Sequence, residues 1–203
     1  APAEVAGKTL AVAPDANVQI DGKPGRLDGI PAGAFVNLGL SVDSQTARVL
    51  QAEGPNLGEC GGSPVSAVDV MNNTITFDEK ATPAVAGKTF TLVKDAWITI
   101  DGKPGTLADL PTGSYVNVTL TVDQQKVRSL GAHGPQASGA LKAVDAAKGT
   151  ITVDDTSYVV AKDALVVIDG RSVRLADLAT GVEVNINLRV DQKTVGMIQT
   201  KAP

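Results

Sequence analysis

The feature that constrains this chain most is that it repeats itself. Val5-Ala6-Gly7-Lys8-Thr9 returns as Val85-Ala86-Gly87-Lys88-Thr89, and Asp21-Gly22-Lys23-Pro24-Gly25 returns as Asp101-Gly102-Lys103-Pro104-Gly105, both at a shift of 80 residues. Laid over 85–135 without gaps, 5–55 matches at about 27 of 51 positions, far more than chance gives and the mark of repeated supersecondary units. A third copy follows at a shift of 68, carried by Lys162-Asp163-Ala164, Asp169-Gly170, Leu175-Ala176-Asp177-Leu178, Val184-Asn185 and Val190-Asp191-Gln192. A second motif, Ala67-Val68-Asp69 with Thr74-Ile75-Thr76-Phe77-Asp78, recurs as Ala143-Val144-Asp145 with Thr150-Ile151-Thr152-Val153-Asp154. The resulting units are 1–56, 57–135 and 136–203. The first begins only in the middle of the pattern and has no copy of the second motif.

Unit three shows what one repeat encodes. Val182, Val184, Ile186, Leu188 and Val190 alternate with Glu183, Asn185, Asn187 and Arg189, the period of a half-buried strand. Residues 140–145 and 150–154 flank a turn at 146–149 and read as a hairpin. Tyr158 to Val160 and Ala164 to Ile168 read as two strands broken at Lys162-Asp163-Ala164. Asp169-Gly170 is a tight-turn pair, since Gly accepts positive φ and Asp bonds its own backbone. Leu175 to Leu178 is too short for more than a single helical turn. About five strands with one apolar face each must close on themselves to bury it, and a small barrel does this economically. The expectation is an all-β chain of three tandem, roughly five-stranded barrel-like modules sharing apolar surface with their neighbours, the first lacking its N-terminal hairpin. One continuous sheet sandwich is the alternative.

The Ala-Val-Asp…Thr-Ile-Thr hairpin (67–76, 143–152), the Ile-Asp-Gly turn (20–22, 100–102, 168–170) and the Leu-Ala-Asp-Leu turn (107–110, 175–178) give the chain its family character. In these it resembles tandem small β-barrel repeat modules of secreted and envelope-associated bacterial proteins, most of which carry no assigned activity. Unit one departs at Leu27-Asp28-Gly29-Ile30. The resemblance covers nearly the whole chain and implies architecture and export rather than chemistry. The small-residue start at Ala1-Pro2-Ala3 agrees with the trace left by signal-peptide cleavage, so a secreted or cell-surface location is expected.

Composition narrows the functions. The net charge is −4 and aromatics are 3%, so the chain offers neither the basic face nor the stacking platform of a nucleic-acid binder. No stretch approaches the ~18 apolar residues of a bilayer-spanning helix, and membrane insertion is not expected. One His and one Cys exclude a Cys/His structural zinc site and an internal disulfide. Cys60 lies in Leu57-Gly58-Glu59-Cys60-Gly61-Gly62 with no neighbouring base or cation, so its expected role, if any, is an intermolecular thiol rather than catalysis or lipidation.

Residues present in all three copies are Asp15/Asp95/Asp163, Asp21/Asp101/Asp169, Gly22/Gly102/Gly170, Gly33/Gly113/Gly181, Asn37/Asn117/Asn185 and Asp43/Asp123/Asp191. Three copies of a fold need three copies of its turns, and the Asp and Gly sets suit turn roles. Calcium would need six to eight converging oxygens, and no Asp-x-Asp-x-Asp-Gly loop exists. No metal or cofactor is expected. The three Asn sit on the polar face of their strands and, with Trp97 and Tyr115, make a candidate face for a ligand, carbohydrate being the plausible class, or for a partner. His133 matches Glu53 between units and reads as a solvated linker residue without a triad partner.

The chain therefore reads as a non-enzyme. Its expected function is a structural or assembly module of an exported protein, a stalk or filament element that pairs with its own kind or with a strand-donating partner. Ligand binding is the alternative. The expected assembly edge lies in unit one, around Leu10, Val12, Val18 and Ile20, where strands lack the hairpin that covers them elsewhere.

Overall fold

The computed structural model describes residues 7–57 and 62–200, and it is all-β. Unit one contributes β1 (Ala11–Ile20), β2 (Lys23–Pro24), β3 (Phe35–Leu40) and β4 (Thr46–Glu53). A second sheet holds β5 (Asn56–Leu57), β6 (Ser63–Asp69), β7 (Thr74–Phe77), β8 (Thr89–Ile100), β9 (Lys103–Pro104), β10 (Tyr115–Leu120) and β11 (Lys126–His133). The third holds β12 (Gln136–Asp145), β13 (Thr150–Val153), β14 (Thr156–Ile168), β15 (Arg171–Val173), β16 (Glu183–Leu188) and β17 (Thr194–Thr200). The helical turns are single 3-10 turns at Leu27–Gly29, Leu107–Asp109 and Leu175–Asp177. The three sheets follow one another along the chain in a solenoid-like stack.

Each copy repeats one pairing plan. The long first strand doubles back through an Asp-Gly turn onto a two- or three-residue strand. Asp21 and Gly22 have φ of 53° and 77°, and Asp101/Gly102 and Asp169/Gly170 match them within a few degrees. Positive φ at both central residues defines a type I′ turn, whose twist suits a tight hairpin. The first strand then pairs in parallel with the last, in the same register each time: Ile20 with Ala52, Ile100 with Ala132, Ile168 with Thr200. Periodicity alone does not show this parallel pairing, because alternation is the same in either direction. The break expected at Lys162-Asp163-Ala164 is instead a register shift between Val160 and Leu165 inside one continuous strand. Extra residues bulge out and pairing resumes beyond them.

The copies differ in how far the pairing runs. In the second sheet it returns on itself, β6 to β7 to β8 to β11 to β10 and back to β6. The third repeats the ring through β12, β13, β14, β17 and β16. Unit one is an open sheet in the order β2-β1-β4-β3. The two rings enclose apolar cores, one built on Ile75, Phe77, Val116, Val118 and Leu130, the other on Leu141, Ile151, Val184, Ile186 and Ile198. Among the described residues, the buried apolar side chains of unit one are Ala13, Ala47, Leu50 and Ala52, too little volume for a core of that kind.

Candidate functional site

The polar residues shared by the copies converge at the boundaries between units. At the first boundary the Asp21 carboxylate accepts the Val122 N–H at 2.9 and 3.1 Å, Lys23 Nζ lies 2.8 Å from Asp95, and Arg128 lies 2.7 Å from Glu53. At the second boundary Asp101 accepts the Val190 N–H at 3.1 and 3.4 Å, and Lys103 Nζ lies 2.8 Å from Asp163, which Arg189 grips from the other side. The connecting backbone is tied in the same way: Leu120 N–H donates to Pro55 O and Leu188 N–H to Pro135 O, at 3.1 and 3.0 Å. Glycine is required here. A Cβ on Gly54 would stand 2.2 Å from Thr121 O, and one on Gly134 would stand 2.0 Å from Arg189 O. Exposed ion pairs are screened by water and add little, so the close backbone approach at Gly54 and Gly134 weighs more in fixing the joint.

These contacts revise two sequence readings. Asp21 and Asp101 do occupy their turns, and their carboxylates also lock the next unit, a role that local sequence cannot show because the acceptor lies 101 and 89 residues away. His133 and Glu53 are not merely solvated linker residues. Glu53 is paired, and His133 is half-buried, stacked on Tyr115 with Nδ1 2.7 Å from Gly134 O. The electrostatics follow the same geometry. Burial pushes the Asp101 carboxyl up, against the opposing pull of the Val190 N–H. Hydrogen bonds from Lys103 and then Arg189 hold Asp163 far below the carboxylate range, and Lys23 does the same, less strongly, to Asp95. Asp43, Asp123 and Asp191 stay within their turns, each accepting the N–H two residues on, from Gln45, Gln125 and Lys193.

A groove opens at each boundary. The first, about 610 Å³, is lined by Ile20, Asp21, Lys23, Asp95, Trp97 and Arg128. The second, about 500 Å³, includes Asp101, Asn117, His133, Asp163, Arg189 and Met197. Trp97 is 65% exposed in the first groove, whereas Tyr115 lines a different hollow beside Pro64 and Pro135, so the two aromatics do not share a site. The three Asn differ in exposure. Asn37 and Asn185 are exposed, while Asn117 is half-buried with its Oδ1 shielded and without a partner. Cys60 lies outside the described residues. Among the described residues no cluster of His, Cys, Asp or Glu could hold a metal ion.

The strongest asymmetry is the outer edge of β3. Its counterpart β10 is covered by β5 and β6, and β16 is covered by β12. β3 ends its sheet. Leu38 is 39% exposed where Val118 is 1% and Ile186 is 0%, and Leu27 is 49% exposed where Leu107 is 5%. Phe35 is also exposed. The four residues picked from sequence, Leu10, Val12, Val18 and Ile20, are half-buried and lie on or just before β1, separated from β3 by β4; the exposed large apolar side chains of unit one are Leu27, Phe35, Leu38, Val42 and Val49. The signal for β3 was available: in the other copies one strand of the hairpin covers its counterparts β10 and β16, while the other strand covers β8 and β14, the counterparts of β1.

With this geometry in view, comparison with family models, with curated proteins and with solved structures finds no match to the chain.

Proposed function

We propose that this chain is a non-catalytic structural module of a secreted or surface-exposed bacterial protein, in which closed barrel-type units are joined in a row and the open first unit accepts a strand from another chain. The carrying observation is β3, an apolar edge strand uncovered in unit one and covered in both other copies. An open edge of this kind is a template for β-augmentation, where backbone hydrogen bonds give affinity and alternate side chains give register. The engagement of Asp21, Asp101, Lys23 and Lys103 in hydrogen bonds and ion pairs across the unit boundaries supports the non-catalytic reading. The test is sedimentation over a range of concentrations, with and without a synthetic peptide of sequence 62–78, the hairpin that covers β10. Self-association or peptide binding that is lost in Leu38→Lys is expected. A chain that stays monomeric throughout and ignores the peptide overturns the proposal.

One observation favours a second reading, carbohydrate binding: the exposed Trp97 ring beside Asp95, Lys23 and Arg128 in the first groove. A flat aromatic face next to hydrogen-bonding side chains suits a sugar ring. Glycan-array binding abolished by Trp97→Ala would support it.

A further inference from the structure

The two boundaries within the chain are one interface used twice, and residues of its two halves recur, exposed, on unit three at Arg171 and on unit one at Val42. In each use, the leading unit presents an Asp-Gly turn followed by a cation. The trailing unit presents an acidic residue in the bulge of its first long strand and a Val-Asp loop after β10 or β16. Lys23 meets Asp95 across the first boundary and Lys103 meets Asp163 across the second, both at 2.8 Å. By the same shifts, unit three carries Arg171 at the cation position, after a turn with the same φ pair, and unit one carries Asp15 at the acidic position. Val122 and Val190 are half-buried beneath the preceding unit, whereas Val42, their counterpart, is fully exposed. The Asp15 carboxylate is met only at 3.4 Å by Arg48, its own unit's side chain.

We propose that the Arg171 end of one copy docks on the Val42–Asp15 face of the next, reproducing the internal boundary between chains. This rests on the reading of the chain as an assembly module, adds a surface distinct from the β3 edge, and names a second copy of this chain as its occupant. The argument is continuity with an interface the chain already makes twice. The halves lie on opposite ends and are not self-complementary, so the contact is heterologous and grows an open row rather than a closed dimer. Affinity is low. Inside the chain the short tether supplies an effective concentration on the order of millimolar, and between chains the same contacts must do without it. One contact is not carried over by sequence: Glu53 faces Arg128 at the first boundary, and the position that matches Glu53 in unit three is Lys201, outside the described residues.

Zero-length carbodiimide coupling tests this with internal controls. In the full chain carrying Arg171→Lys, the reagent should form amide links 23–95 and 103–163 within each molecule, and peptide mapping reads both. At protein concentrations near a millimolar, the expected result is an additional 15–171 link and a ladder of dimers, trimers and larger species, absent when Asp15→Asn is added. Formation of both control links without a 15–171 link overturns the head-to-tail contact. If the uncoupled chain still associates and Leu38→Lys abolishes that association, the β3 reading survives alone. A single closed-dimer band also overturns the head-to-tail contact. A chain that is monomeric at every concentration and forms only the control links overturns both.

Discussion

Positions 38 and 118 hold the same place in the same strand of two copies, Leu in one and Val in the other, yet Val118 is 1% exposed and Leu38 is 39% exposed. The strands are alike; what differs is the company. β10 lies between β11 and the β5/β6 run, and β3 has β4 on one side only. Burial in this fold is therefore a property of the ring and not of the strand. The same comparison explains why unit two can surround Phe77 and Leu130 while unit one buries mostly alanine.

The largest expected effect breaks or confirms this contrast directly. Ile186→Ala should cost about 2–5 kcal/mol in denaturant unfolding, because it empties space inside a closed core. Leu38→Ala, at the same register, should cost less than about 1 kcal/mol in dilute solution, as surface changes do. Equal losses would mean that β3 is covered in solution. A cost for Leu38→Ala that grows with protein concentration would show another chain doing the covering.

Next come the boundary glycines. Gly134→Ala drives a methyl into the Arg189 carbonyl, a backbone atom that cannot swing aside. Overpacking of this sort costs about 1–3 kcal/mol. Its sharper signature is a split calorimetric transition, the third unit melting apart from the second. Gly54→Ala should uncouple the first pair in the same way. A single unshifted transition in either variant would remove the boundary as a mechanical joint.

Much of this was legible in the sequence, for a definable reason. Turns and strand faces are local, so Asp21-Gly22, the 184–190 alternation and the single turn at 175–177 follow from neighbours in the chain. That residues 1–56 hold no copy of the 67–78 motif was legible because the repeat supplied its own reference. Three things were not legible. Parallel pairing of β1 with β4 leaves no mark on alternation. The reach of Asp21 to Val122 joins residues 101 apart. Asn117 differs from Asn37 and Asn185 only through what packs over it, so three identical letters gave one expectation and the fold gave two environments.

The smallest effect concerns the charge at the second boundary, where two carboxyls respond to pH with opposite sign. Asp163 is held low in the folded chain by Lys103 and Arg189, so its stabilising contribution is present above the ordinary carboxyl range near 3.8 and is lost as pH falls below it. Asp101 is raised by burial, so its contribution is fullest when protonated and is lost as pH rises from 3.8 through its folded value. Asp101→Asn keeps an oxygen that can accept the Val190 N–H and removes the buried charge. Relative to the unmodified chain, this variant should gain stability as pH rises from 3.8 through the raised folded value of Asp101, with the difference flat above that. Lys103→Met should do the reverse, losing stability near neutrality and approaching the unmodified chain in acid. Urea midpoints across this pH range measure both. Parallel curves for the Asp101 variant and the unmodified chain would show that the Asp101 carboxylate is solvated and that its charge does not act on the second boundary.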